Sequence, residues 1–229
     1  VERVKIIQGR TPIIIIAPHG ADDERTALVA EKAAKETKSY AVINMGWQKG
    51  EKVDFMNDYA DCNNVLHCHE DVVREEFFDP IIRFKNKILS GGTNEVNIFY
   101  IHGMSNRHRI LANDPMMDMV LGYGVGIPHS ITFDLWKKNF FIDRLENLGF
   151  TTYEASQGSS MAGWSKNNMN QLFRKWYLDV RVSSIQIEIV HEMRESDRIA
   201  ERTGGYLGEA IIETLVAKHF TLLGSNKVY

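Results

Sequence analysis

His19 and His102 share a setting: each directly follows an apolar run, Ile13 to Pro18 or Val96 to Ile101, and each directly precedes a glycine. Neutral imidazole is the commonest metal ligand, and the end of a strand holds such a ligand more rigidly than a loop does. Glu24 lies five residues after His19, at the expected start of a helix. Alone, His19 reads as a turn histidine and Glu24 as a solvated helix-start charge; the trio points to a metal. Two imidazoles and a carboxylate leave the fourth position of a tetrahedral ion open. This is the hydrolytic zinc arrangement, in which the pKa of a water falls to about 7, although other divalent ions accept the same donors.

Glu188 is the second carboxylate of interest. In Ser184-Ile185-Gln186-Ile187-Glu188-Ile189-Val190, alternation sends Gln186, Glu188 and Val190 to one face and the three isoleucines to the other. In a central strand Glu188 is then largely enclosed, and burial raises a carboxyl pKa toward the value that suits a general base. The plainer reading is an edge strand with one polar face in water.

These side chains need a scaffold. Four consecutive isoleucines suit a strand buried on both sides, and Pro18 and Gly20 end it. Strands are expected over 4–8, 12–17, 40–45, 96–101, 150–155 and 183–190. Helices are expected over 22–37, with Asp22 and Asp23 as caps, 71–89, with Pro80 as a kink or restart, 132–147, 168–176 and 205–220. Residues 46–70 and 106–130 read as long irregular segments, the second holding Gly122, Gly124 and Gly126 as a mobile loop. The order βαβ at the start predicts a single α/β domain over 1–229, with a mixed, mainly parallel central sheet and helices on both faces. Open sheets of this kind place ligands at the carboxyl ends of their strands, where His19 and His102 fall.

Of 229 residues, 44% are hydrophobic and 25% charged, with a net charge of −3, so a folded core is expected and disorder is not. Lys and Arg are scattered among acidic residues and form no basic stripe, which argues against nucleic acid as a partner. No apolar run approaches the roughly 18 residues of a membrane helix, and no charged-then-apolar leader opens the chain. Cys62 and Cys68 do not make a disulfide framework, so a reducing, cytoplasmic setting is expected. His67-Cys68-His69 reads as loop surface, and Trp164 is the tryptophan placed nearest a pocket.

Pro18-His19-Gly20 with Glu24, Asp61-Cys62-Asn63-Asn64, Ile101-His102-Gly103, the small-residue loop 157–163 and Gln186-Ile187-Glu188 occur in the order seen in N-formylglutamate amidohydrolase-like proteins, which the chain resembles from about Ile13 to Arg194. It is also similar to phage poly-γ-glutamate hydrolases, which pair a Pro-His-Gly strand end with a Glu five residues after the His. The resemblance implies a zinc carboxypeptidase-like (phosphorylase/hydrolase-like) fold, Zn2+ held by His19, Glu24 and His102, and Glu188 as catalytic carboxylate. It implies cleavage of an amide bond in an N-acyl amino acid or a similar small-molecule or peptide-like substrate, oriented by Asn63, Ser159, Ser160 and Gly163. The amidohydrolases usually carry Arg after Asp-x-Asn, where this chain has Asn64. Arg107 and Arg109 are the candidates for oxyanion stabilisation, and with Arg174 and Arg181 for the missing charge. The other readings are a γ-glutamyl or cell-wall peptide hydrolase of the same fold and a catalytically silent metal- or ligand-binding member.

Overall fold

A computed structural model of the chain describes residues 2–48, 61–66, 71–105, 115–126, 130–174 and 179–224. Seven strands form one mixed sheet in the order β1-β3-β2-β4-β7-β5-β6. They are β1 (Val4–Ile7), β2 (Ile13–Ala17), β3 (Tyr40–Asn44), β4 (Val96–Met104), β5 (Met119–Gly122), β6 (Thr152–Glu154) and β7 (Val182–Val190). Strands β3, β2, β4 and β7 are parallel, whereas β1 and β5 pair antiparallel to the β3 and β7 edges of that block. The expected α/β architecture is therefore present.

The isoleucine run explains the centre of the sheet. Ile13 and Ile15 pack on one face with Phe99, Ile101, Ile185 and Ile187, and with α1 (Thr26–Thr37) and α5 (Asp197–Gly224). Ile14 and Ile16 pack on the other with Ile98, Tyr100, Phe77 and Ile81. The latter two belong to a helical stretch in which α2 (Asp71–Val73) passes through a π-helical turn, Arg74–Phe78, into α3 (Asp79–Ser90). Pro80 stands in the first turn of α3, and its missing N–H accounts for the irregular turn before it. A further helix, α4 (Leu135–Asn147), packs against α5.

Chain direction creates the crevice. From β2 the chain crosses by α1 on one face to β3, then returns by α3 on the opposite face to β4 on the other side of β2. The strand order reverses at β2, and such a switch point opens a crevice at the carboxyl ends of the strands, where β2 delivers His19 and β4 delivers His102.

Several local expectations change. Residues 119–122 form β5 within the stretch read as irregular, a four-residue run too short to show a period. Its Gly122 is no mobile hinge: a Cβ there would lie 1.9 Å from the Met161 carbonyl oxygen, so the glycine admits a neighbouring backbone. The short helix expected over 168–176 opens as a 3-10 turn, Met169–Gln171, and stays helical through residues 172–174, where this described segment ends. Helix α5 begins at Asp197 and runs through Gly204 and Gly205, because a Cβ at Gly204 would come within 2.5 Å of the Val29 carbonyl oxygen of α1. Helix α1 begins at Thr26 rather than Asp22, and neither aspartate caps it: Arg25, left-handed at φ 60°, precedes it.

Candidate metal and hydrolytic site

A cleft of about 380 Å³ opens at the carboxyl ends of β2, β4 and β7. Its walls include His19, Asp23, Asn63, His102, Ser160 and Glu188. Two strand ends and a turn assemble the donors. His102 Nδ1 lies 3.3 Å from His19 Nδ1, and His19 Nδ1 lies 3.6 Å from Asp23 Oδ2. One donor atom each from His19, Asp23 and His102 fall within 4.8 Å of one another, as the ligands of a single ion must.

The carboxylate in this group is Asp23, whereas the sequence reading named Glu24. A helix from Asp22 would have put Glu24 in its first turn. Instead both Asp22 N–H and Asp23 N–H donate to the His19 carbonyl, and this tight turn precedes left-handed Arg25. Asp23 is left facing β4, where Gly103 N–H donates to its Oδ2 at 3.1 Å. The Glu24 carboxylate pairs with Arg25 and lies 3.7 Å from His191 Nδ1, with its side chain 56% exposed.

Asp61, 42 residues from His19, accepts from His19 Nε2 at 2.8 Å and from Asn63 N–H at 2.9 Å. A carboxylate on Nε2 fixes the ring and its tautomer, leaving Nδ1 as the lone-pair nitrogen turned to His102 and Asp23. The donor set thus fits a divalent cation: two imidazoles and one carboxylate, with a second carboxylate orienting one ring. Neighbouring Cys62 is buried, and burial pushes its thiol pKa well above the ordinary value, so it stays protonated and offers no thiolate.

Glu188 stands opposite His102 in the parallel β4–β7 register, so the two share a face of the sheet. Strand β7 is interior, between β4 and β5, which removes the edge-strand reading; Glu188 is half-buried and opens into the cleft. Gln186 Nε2 donates to its Oε1 at 2.6 Å.

The other expected residues divide. Asn63 and Ser160 line the cleft, and Asn63 Oδ1 is a buried acceptor without a hydrogen-bond partner among the described residues. Ser159 and Gly163 shape the loop instead: the Ser159 carbonyl accepts from Ala162 N–H, and Gly163, at φ 64°, turns against Asn170. Asn64 caps its own turn by accepting from Leu66 N–H. Arg181 sits before the amino end of β7, bound to Asp179, and Arg174 is partly buried beside Asp134; neither is among the cleft residues. Trp164 packs on Gly126 and is not among them either. Arg107, Arg109 and His67-Cys68-His69 lie outside the described residues.

Sequence reasoning missed Arg194. Only 4% exposed, it donates to the carbonyls of Ile189 (3.2 Å), Met104 (2.9 Å) and Glu24, tying the ends of β7 and β4 to the turn that carries Asp23. Burial lowers its pKa, against the opposing pull of Asp23, Glu24 and Glu188. Nothing in its local sequence distinguishes it from a surface arginine.

No protein-family model and no curated protein sequence matches the chain. Solved structures share its fold. The gene product Atu2144 from Agrobacterium tumefaciens superposes with a TM-score of 0.64 at 11% identity, covering 96% of this chain and 97% of that one. N-formylglutamate amidohydrolase from Ralstonia eutropha gives 0.54 at 14% identity, over 93% and 98% of the two chains. A bacteriophage poly-γ-glutamate hydrolase gives 0.54 at 14% identity, over 96% and 89%. The fold expected from the sequence resemblance is the fold observed.

Proposed function

We propose that the protein is a zinc-dependent hydrolase of amide bonds, acting on an N-acyl amino acid or a related carboxylate-bearing substrate. The observation that carries this reading is the convergence of His19, Asp23 and His102 in one cleft, with Glu188 in register beside His102. Likeness of fold to an amidohydrolase and a poly-γ-glutamate hydrolase supports it. His19, His102 and Asp23 would hold the ion, with Asp61 orienting His19. When bound, a divalent ion of this kind lowers the pKa of water and polarises a carbonyl.

The chain's own groups supply the rest. Glu188 takes a proton from the attacking water as the oxygen adds to the carbonyl carbon, and returns it to the nitrogen as the C–N bond breaks. Asn63, with its buried acceptor oxygen, and Ser160 orient the substrate by hydrogen bonds. Arg107 or Arg109 is proposed as a second stabiliser of the oxyanion.

The test is turnover of zinc-loaded protein on N-acyl amino acids and γ-glutamyl peptides, with and without Glu188→Gln. The variant is expected to keep its zinc and lose on the order of 10²- to 10⁴-fold in kcat. Undiminished turnover in the variant sinks the general-base assignment, and failure of the wild-type protein to take up zinc sinks the metal reading.

A further inference from the structure

Gln186 is buried, and its amide is engaged at both ends. Nε2 donates to Glu188 Oε1 at 2.6 Å, while Oε1 accepts from Asn168 Nδ2 at 3.1 Å. The oxygen and nitrogen of such an amide are interchangeable unless the surrounding network decides between them. Here it does. Asn170 N–H, a backbone group that can only donate, gives to Asn168 Oδ1 at 2.7 Å. Asn168 therefore turns its Nδ2 to Gln186, whose Oε1 must accept, and Gln186 Nε2 must donate to Glu188. Direction passes from a backbone amide through two side chains to one oxygen of the carboxylate.

The relay is tied to the segment that brings in Asp61 and Asn63. Asn168 is bridged to Asn64, Met169 N–H donates to the Asn63 carbonyl at 3.0 Å, and Val65 N–H donates to the Asn167 carbonyl at 2.8 Å. We infer that Gln186 is a positioning residue for the reaction: by donating to Glu188 Oε1 it fixes the orientation of the carboxylate toward the cleft, and Asn168 sets the direction in which it acts. This rests on the hydrolytic reading of Glu188.

Gln186→Met keeps the side-chain length and removes the donor. In full-length, zinc-loaded protein assayed on N-acyl amino acids and poly-γ-glutamate, kcat should fall about 10- to 100-fold, the usual effect of losing an orienting partner. KM should stay within about twofold and zinc content should not change. Asn168→Asp keeps the acceptor for Asn170 N–H but presents a second acceptor to Gln186, turning its amide away from Glu188. It should lose as much as Gln186→Met, and the double variant should lose no more than either. It also serves as the readout if Gln186→Met does not fold. A crystal structure of metal-free Gln186→Met supplies a measure independent of turnover, with the Glu188 carboxylate expected in more than one orientation.

Wild-type kcat with an unmoved Glu188, or losses that multiply in the double variant, overturns the inference. An inactive Glu188→Gln beside a fully active Gln186→Met overturns it alone. A fully active Glu188→Gln overturns the hydrolytic reading and this inference with it.

Discussion

Asp61→Ala removes the acceptor that fixes His19. A hydrogen bond to a charged group contributes about 1.5–3 kcal/mol. The 2.8 Å contact joins a buried imidazole to a carboxylate whose side chain is 34% exposed, which places it in the lower half of that range. At about 1.4 kcal/mol per factor of ten, zinc affinity should weaken roughly 10- to 40-fold, within the range of about 10- to 100-fold for orienting partners of metal ligands. Competition with a chromogenic chelator measures this directly. Asp61→Asn keeps an oxygen for His19 Nε2 and loses only the charge, so it should fall between wild type and Asp61→Ala. Zinc affinity of Asp61→Ala within about twofold of wild type would refute the reasoning, since His19 would then need no partner to present Nδ1.

The same titration separates two adjacent carboxylates: Asp23→Ala should abolish stoichiometric zinc uptake, and Glu24→Ala should retain it. Gly122→Ala forces a Cβ to within 1.9 Å of the Met161 carbonyl oxygen. Overpacking of this kind costs about 1–3 kcal/mol, and urea unfolding should show it together with reduced turnover as the Ser160 loop is displaced. Away from the cleft, Arg181 first and then Lys85 hold Asp179 below the usual carboxylate range against the effect of burial. Asp179→Asn removes the carboxylate paired with buried Lys85 and should cost about 3 kcal/mol near pH 7. A depressed native pKa stabilises the fold above the unfolded value of about 3.9, so the difference between variant and wild type should shrink as pH falls below about 4. Unfolding at pH 7 and pH 3 checks both parts.

Much of the scaffold is legible in local residue types. Four β-branched residues in succession can only be buried on both faces, and β2 is central. Alternation in β7 separates Gln186 and Glu188 from three isoleucines, as observed. The helix expected over 205–220 begins earlier, at Asp197, because Gly204 serves the close approach of α5 to α1 rather than a helix boundary, which only the presence of α1 reveals. Strand β5 was hidden for a related reason: Met119 to Leu121 is apolar, but its strand identity comes from pairing with β7.

The sequence by itself placed two histidines at the carboxyl ends of two apolar strands, since the runs Ile13 to Ala17 and Val96 to Ile101 and the break at Pro18 are local properties; that these strands are neighbours, and that β4 runs on through Gly103 to Met104, only the fold decided. Tertiary structure alone decided which carboxylates join them. Asp23 and Glu24 are neighbours of nearly equal chemistry, and a single turn directs one to the cleft and the other to solvent. The contacts that hold this turn, Gly103 N–H on Asp23 and Arg194 on the Glu24 carbonyl, come from 80 and 170 residues along the chain. Asp61 and Asn168 likewise reach His19 and Gln186 only across the folded sheet, because hydrogen bonds between side chains distant in sequence leave no periodic trace in it.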